Sequence, residues 1–192
     1  AFEVTSSGGW VVYRAPEEST TPGLYVTATD GSTPSVLLSE PGTSVGSFAL
    51  NTAGTRVVFV SGPNLYRAGS TGGRVQLNPS LVAGGAVVDF ALSPDGTRAV
   101  YRADQEVDGR IDLYSVNLVG APASVRLSRV LGPGNGVHAY RIAPDGQRVA
   151  FAGDLVVSGR IEVFSAPIDG SLGDTALCGA FVAGGSVSYA SL

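Results

Sequence analysis

Asp104, Glu106, Asp108 and Asp112 are the closest-spaced set of side chains in this sequence that could do chemistry. They stand in the run D-x-E-x-D-G-x-x-D, with Gly109 directly after the third acid. Oxygen donors at alternate positions, followed by a glycine that permits a sharp bend, are how a calcium loop wraps a hard cation. The match is partial. Glu106 stands where a shorter side chain is usual, and the twelfth position of the loop is Ser115 rather than a bidentate Glu. Asp112 also falls where a strand should begin. A second copy of the frame keeps only Asp154, Gly159 and Glu162. The acids therefore read either as a Ca²⁺ loop or as a solvated acidic hairpin, and no other cofactor is implied.

Other reactive groups are sparse. His138 is the single histidine, so a His-rich metal site is excluded. Acid–base work by His138 is conceivable, and a structural role is the alternative. Gly42-Thr43-Ser44-Val45-Gly46 spells G-x-S-x-G. A nucleophile elbow needs a strand before it and a helix after it, whereas this run leads into a strand. The chain has no Lys among its 12 basic residues, which removes a P-loop and a Schiff-base lysine. Cys178 is the only cysteine. It reads as a small, half-buried apolar residue, with an intermolecular disulfide as the alternative. No catalytic residue is assigned.

The elements that must position these residues come from a repeat. Aligned on their first aromatic, the copies read FEVTSSGGWVVYRA from Phe2, FALNTAGTRVVFVS from Phe48, FALSPDGTRAVYRA from Phe90 and YRIAPDGQRVAFAG from Tyr140, and YASL begins again at Tyr189. Each copy holds an apolar run and then a turn with Gly8, Gly54, Gly96 or Gly146 at one position. A second run ends in Tyr13, Phe59, Tyr101 or Phe151, a third carries Tyr25, Tyr66, Tyr114 or Phe164, and a short fourth run follows. In Ser93-Pro94-Asp95-Gly96 the proline presets φ for a type I turn, and the glycine takes the left-handed position that closes a bulged hairpin. Four strands per unit, A to D, repeated in tandem, are the pattern of β-propeller blades. No convincing amphipathic helix appears, and no apolar run is long enough for a transmembrane helix.

The S-P-D-G-T-R-hydrophobic-Y turn and the later Leu-Tyr resemble the TolB-like, WD40-like (PD40) propeller repeat. The resemblance covers nearly the whole chain, although the first two copies have Ser-Ser-Gly and Thr-Ala-Gly in place of Pro-Asp-Gly. It implies an all-β propeller of four-stranded antiparallel blades, about four in this chain, spanning 2–41, 45–80, 86–130 and 137–178 of a single domain, with an extra strand at 186–192. It implies a non-catalytic interaction or scaffold module with a protein partner. PD40-type propellers also accompany serine peptidases of the prolyl oligopeptidase type, so the propeller portion of a larger enzyme, inactive without its catalytic domain, is the alternative. A periplasmic or extracellular location follows from the resemblance alone.

TolB-like rings usually have six or more blades, so four with strand A broken at both ends read as incomplete. Either the chain is a piece of a longer one, or two copies close one eight-bladed ring, with residues 186–192 of one copy supplying strand A to the other's first blade; a self-closed four-bladed ring is the third possibility. A net charge of −4 argues against nucleic acid and anionic membranes as partners. The B–C links hold Glu17, Glu18, Asp104, Glu106, Asp108 and Asp154, so that face is expected to be acidic, suited to a cation, to a basic partner or simply to solvent. Trp10 stands where the other copies have Arg56, Arg98 and Arg148. With Glu17, Glu18, Asp154 and His138 it completes the candidate contact residues.

Overall fold

The computed structural model describes residues 1–16, 21–130, 132, 135–178 and 185–187. Four antiparallel sheets make up the described residues, each a four-stranded meander with its strands hydrogen-bonded in chain order, and no helix is present among them. The chain divides into two compact units, Ala1–Asn78 and Pro79–Leu192.

The first unit holds two sheets. One comprises β1 (Phe2–Val4), β2 (Trp10–Pro16), β3 (Pro22–Ala28) and β4 (Val36–Leu37); the other comprises β5 (Val45–Leu50), β6 (Val57–Ser61), β7 (Asn64–Gly69) and β8 (Gly72–Gln76). Their facing sides share one core: Val12, Leu24, Val26 and Leu38 from the first sheet meet Val57, Phe59, Tyr66 and Ala68 from the second. Trp10, Phe48 and Leu50 pack against its edge. The two sheets are also tied by the Leu50 amide donating to Glu3 Oε2 at 3.1 Å and by the Arg74–Glu40 pair at 3.0 Å.

The second unit repeats the plan. Its sheets are β9 (Val87–Leu92), β10 (Arg98–Ala103), β11 (Asp112–Asn117) and β12 (Ser124–Arg126), and β13 (Val137–Ile142), β14 (Arg148–Gly153), β15 (Glu162–Pro167) and β16 (Thr175–Ala176). Val100, Leu113 and Leu127 of the first sheet pack on Val149, Phe151, Phe164 and Ala166 of the second. Tyr140 donates its hydroxyl to the Val100 carbonyl at 3.2 Å, and Arg102, paired with Asp89, reaches the Val137 carbonyl at 3.3 Å.

Two sequence signals set this geometry. The first is the A–B turn. Gly8, Gly54, Gly96 and Gly146 all take positive φ, between 65° and 72°. Each donates its amide at 2.8 Å to the carbonyl three residues back, on Thr5, Asn51, Ser93 or Ala143. The first two copies lack Pro-Asp yet close identically, because the left-handed residue decides the turn and only glycine takes it without a steric cost. The second signal is the aromatic pair. Tyr13 faces Tyr25, Phe59 faces Tyr66, Tyr101 faces Tyr114 and Phe151 faces Phe164 across each B–C ladder. Their ring centroids lie 5.3–5.8 Å apart, with planes inclined by 20–24°. Offset stacking of this kind contributes about 0.5–1.5 kcal/mol beyond burial.

Candidate functional site

The sequence-predicted acids collect in the B–C hairpins of the second unit. Asp104 follows β10, is buried, and is fully engaged by backbone donors. Its Oδ1 accepts from the Ala86 amide at 2.6 Å and its Oδ2 from the Gly109 amide at 3.1 Å. Asp154 repeats this in the next sheet, with Oδ1 accepting from Gly136 at 2.8 Å and Oδ2 from Gly159 at 3.0 Å. Each aspartate thus clamps the entry of strand A to the tip of the B–C hairpin of its own sheet. Gly109 and Gly159 adopt φ of 74° and 75° there, which explains why both frames keep that glycine.

The other acids take separate roles. Asp112 opens β11, is wholly buried, and accepts from Arg110 Nε at 2.9 Å and Ser128 Oγ at 3.0 Å. Glu106 turns outward to Arg126 at 2.7 Å and Arg110 at 3.4 Å. Asp108 lies over Gly84, where an added Cβ would come within 3.0 Å of its Oδ1. Three of the four acids expected in one Ca²⁺ loop, Asp104, Glu106 and Asp112, therefore meet protein donors. Among the described residues no three His, Cys, Asp or Glu side chains gather as a metal-binding group.

The electrostatics of the two buried aspartates differ. Burial pushes the Asp112 carboxyl up from its ordinary value, against the pull of Ser128 and Arg110. Burial also raises Asp154, but hydrogen bonds from Gly159, Gly136 and His138 outweigh it and hold that carboxyl below its ordinary value. His138 stands exposed on β13, with Nε2 3.1 Å from Asp154 Oδ1. These two candidate contact residues are thus brought together. Trp10 lies in the first unit, half-buried and packed against its core. Glu17 and Glu18 lie outside the described residues.

Sequence reasoning missed one repeated site. After strand D each sheet supplies an acceptor to the start of strand C. Ser39 Oγ takes the Leu24 amide at 3.2 Å, Asn78 Oδ1 the Leu65 amide at 2.8 Å, Ser128 Oγ the Leu113 amide at 3.2 Å and Cys178 Sγ the Val163 amide at 3.3 Å. The signal was present: each follows a leucine, Leu38, Leu77, Leu127 or Leu177. Cys178 is thus half-buried, as expected, but it acts as a polar acceptor as well as an apolar filler.

At the tips of the two hairpins the side chains change character. Val107 and Val157 occupy equivalent positions, each carbonyl accepting from Arg110 or Arg160 at 3.0 Å. Their side chains are 45% and 46% exposed, and Val156 next to Val157 is exposed as well. Glu106 and Asp108 flank Val107, whereas Val156 and Ser158 flank Val157.

No family model and no curated protein sequence matches the chain. Solved structures do resemble it. A structure described as a TolB from Agrobacterium tumefaciens aligns at 16% identity and TM-score 0.55, over 92% of this chain and 64% of that one. TolB from Acinetobacter baumannii aligns at 16% identity and TM-score 0.53, over 92% and 43%. Dipeptidyl peptidase 4 from Porphyromonas gingivalis aligns at 10% identity and TM-score 0.63, over 92% and 32%. The chain spans less than two thirds of the length of each. At such identity the likeness is one of fold, and with the four meander sheets it makes this an all-β protein of the β-propeller type.

Proposed function

We propose that the chain is a non-catalytic interaction module of the TolB-like type, built from PD40-type repeats, and that it holds a protein partner at the B–C hairpin tips of Pro79–Leu192. The observation that carries this reading is the division of labour in those hairpins. Asp104, Asp154 and Asp112 are occupied by internal donors, while Val107 and Val157 stand in solvent at matching positions. Apolar side chains held out on turns, with Glu106 and Asp108 on either side of Val107, suit a partner surface with an apolar centre and a basic edge. The test is site-specific photocrosslinking. A benzophenone amino acid at position 107 or 157 should capture a discrete protein from an extract of the source organism. The same group at Val119, 57% exposed in the β11–β12 turn, should not. Equal or absent capture at all three positions would remove the reading.

A second reading is that the chain is the propeller portion of a larger peptidase. The likeness to a dipeptidyl peptidase of which it spans about a third supports it. The parent gene decides between the two, since the second reading requires a hydrolase domain in the same chain.

A further inference from the structure

Strand A is the outer strand of each sheet, so one side of its backbone has no ladder partner. In the first unit a side chain of the neighbouring sheet meets one of those backbone groups. The Asn51 amide donates inward to the Arg56 carbonyl at 2.9 Å. Amides alternate in direction along an antiparallel strand, so the Leu50 amide points away from β6. It donates to Glu3 Oε2, carried on β1, at 3.1 Å. A carboxylate thus bridges the two A strands of that unit.

The second unit presents the same edge without that carboxylate. The Ala143 amide donates inward to the Arg148 carbonyl at 2.8 Å. By the same alternation the Ile142 amide, at the position of Leu50, points outward from β13. Ala91 on β9 lies opposite Val100 as Glu3 lies opposite Val12, so the repeat puts Ala91 in the place of Glu3. Where Glu3 reaches across in the first unit, the second has a cavity of about 390 Å³. Phe90, Ala91 and Leu92 line it from β9, and Tyr140, Arg141 and Ile142 from β13. Small-molecule sites begin at roughly 300 Å³. The charges at its wall favour an anion. Asp89 is part of the lining, but both its oxygens accept from Arg102 Nε at 3.1 Å, so a cation already offsets it. Arg141 is exposed and donates Nη1 to the Tyr140 carbonyl at 2.9 Å. It forms no ion pair with an acid among the described residues.

We propose that this cavity binds a carboxylate on a compact apolar body, with one oxygen accepting from the Ile142 amide and the charge meeting Arg141. The first unit supplies the precedent for the contact, in Glu3 on the Leu50 amide. Phe90, Leu92 and Ile142, all half-buried, supply the apolar wall. The carboxylate belongs to a small organic acid or to the last residue of a peptide. No hairpin-tip residue takes part, so the site is independent of the partner reading above.

Titration of the whole chain, followed by its backbone amide resonances, tests it. The probes are phenylacetate and an acetylated dipeptide ending in a phenylalanine carboxylate, both at millimolar concentration. At least one should move the Ile142 amide saturably, and phenylacetamide, which keeps the shape and lacks the charge, should not. Binding of phenylacetate assigns the site to free acids, and binding of the dipeptide alone assigns it to peptide termini. Arg141→Gln replaces an exposed side chain and should weaken binding about tenfold or more, the scale of a hydrogen bond to a charged group. Ala91→Glu should carry its own carboxylate to Ile142, so that the amide resonance is displaced before any acid is added and binding is lost. An Ile142 amide that neither acid moves overturns the site. Equal binding of phenylacetamide does so too, as does undiminished binding by Arg141→Gln. If Ala91→Glu does not fold, the acid–amide comparison and Arg141→Gln still decide.

Discussion

The two B–C hairpins of the second unit share a frame and differ in how completely it is filled. In both, an aspartate clamps strand A to a glycine turn, and an Arg two residues before an acid opens strand C. Around Asp112 the network closes: Arg110, Glu106, Arg126 and Ser128 all take part, and the carboxylate is wholly buried. Around Glu162 it stays open. Arg160 reaches Oε1 at 2.7 Å, while Oε2 is buried with no hydrogen-bond partner among the described residues and Cys178 replaces the Ser128 hydroxyl. The clamp is therefore architecture that every such hairpin needs, and the charge network behind it is an addition that one hairpin has and the other lacks.

The largest effect that could break this comparison comes from the second acids. Asp112→Ala leaves the Arg110 guanidinium, 10% exposed, without its buried partner. Its expected cost is about 3 kcal/mol, the scale for opening a buried pair from one side. Glu162→Ala removes a longer side chain paired with a 34% exposed Arg160, and the cost should be about 1 kcal/mol or less. Denaturant midpoints read both. Equal costs would mean that the fuller network contributes nothing, and the distinction between the hairpins would fail.

The clamp aspartates come next, and here the hairpins should behave alike in size. Asp104→Asn and Asp154→Asn each put an amide nitrogen where one backbone N–H needs an acceptor, at about 1–3 kcal/mol. Their companions separate by pH. The Asp154 carboxyl is depressed in the folded chain, so its contribution is present above the unfolded value of 3.8 and is lost as pH falls through the folded value. Asp112 is raised, so its contribution has the opposite sign: it is present below 3.8 and is lost as pH climbs through the folded value. Melting temperatures followed from pH 3 to 6 should show Asp154→Asn flattening the acid-side loss of stability. Asp112→Asn should flatten the loss on the rising side. Identical pH profiles for the two variants would contradict both assignments.

How much of this was legible depends on how far each residue reaches along the chain. The turns were legible because Gly8, Gly54, Gly96 and Gly146 act within three residues of their partners, and glycine at a left-handed position leaves a one-letter trace. The aromatic pairs were legible because they recur at fixed places in strands B and C. The clamp was not. Asp104 meets an amide 18 residues earlier and another five later, and nothing in D-x-E-x-D-G distinguishes an aspartate that binds its own backbone from one that waits for a cation. The lead-in strand expected from residues 186–192 falls mostly outside the described residues. Val187 donates to the Ile161 carbonyl at 2.9 Å much as Val137 donates to Ile111 at 2.8 Å, and β1 already fills the half of the strand A place next to the turn in the first sheet. The exposure of Leu177 was invisible for another reason: it is the same letter as Leu38, Leu77 and Leu127, and only burial separates them.

The smallest effect concerns the acceptor after strand D, where Ser39, Asn78, Ser128 and Cys178 do one job with three chemistries. Such variety hides a role from anyone looking for a repeated letter, because the backbone asks only for a lone pair at the right place. Thiol sulfur is a weak acceptor, so Cys178 is the least suited of the four. Cys178→Ser should make the last sheet match the third and change stability by no more than about 0.5 kcal/mol, with the loss of a polarisable atom offsetting the better hydrogen bond. Cys178→Ala removes the acceptor and should cost about 1 kcal/mol, with faster amide hydrogen exchange at Val163 in that variant alone. If Ala is as well tolerated as Ser, and Val163 exchanges alike in both, then the sulfur serves only as filler and the last sheet lacks the acceptor that the other three possess.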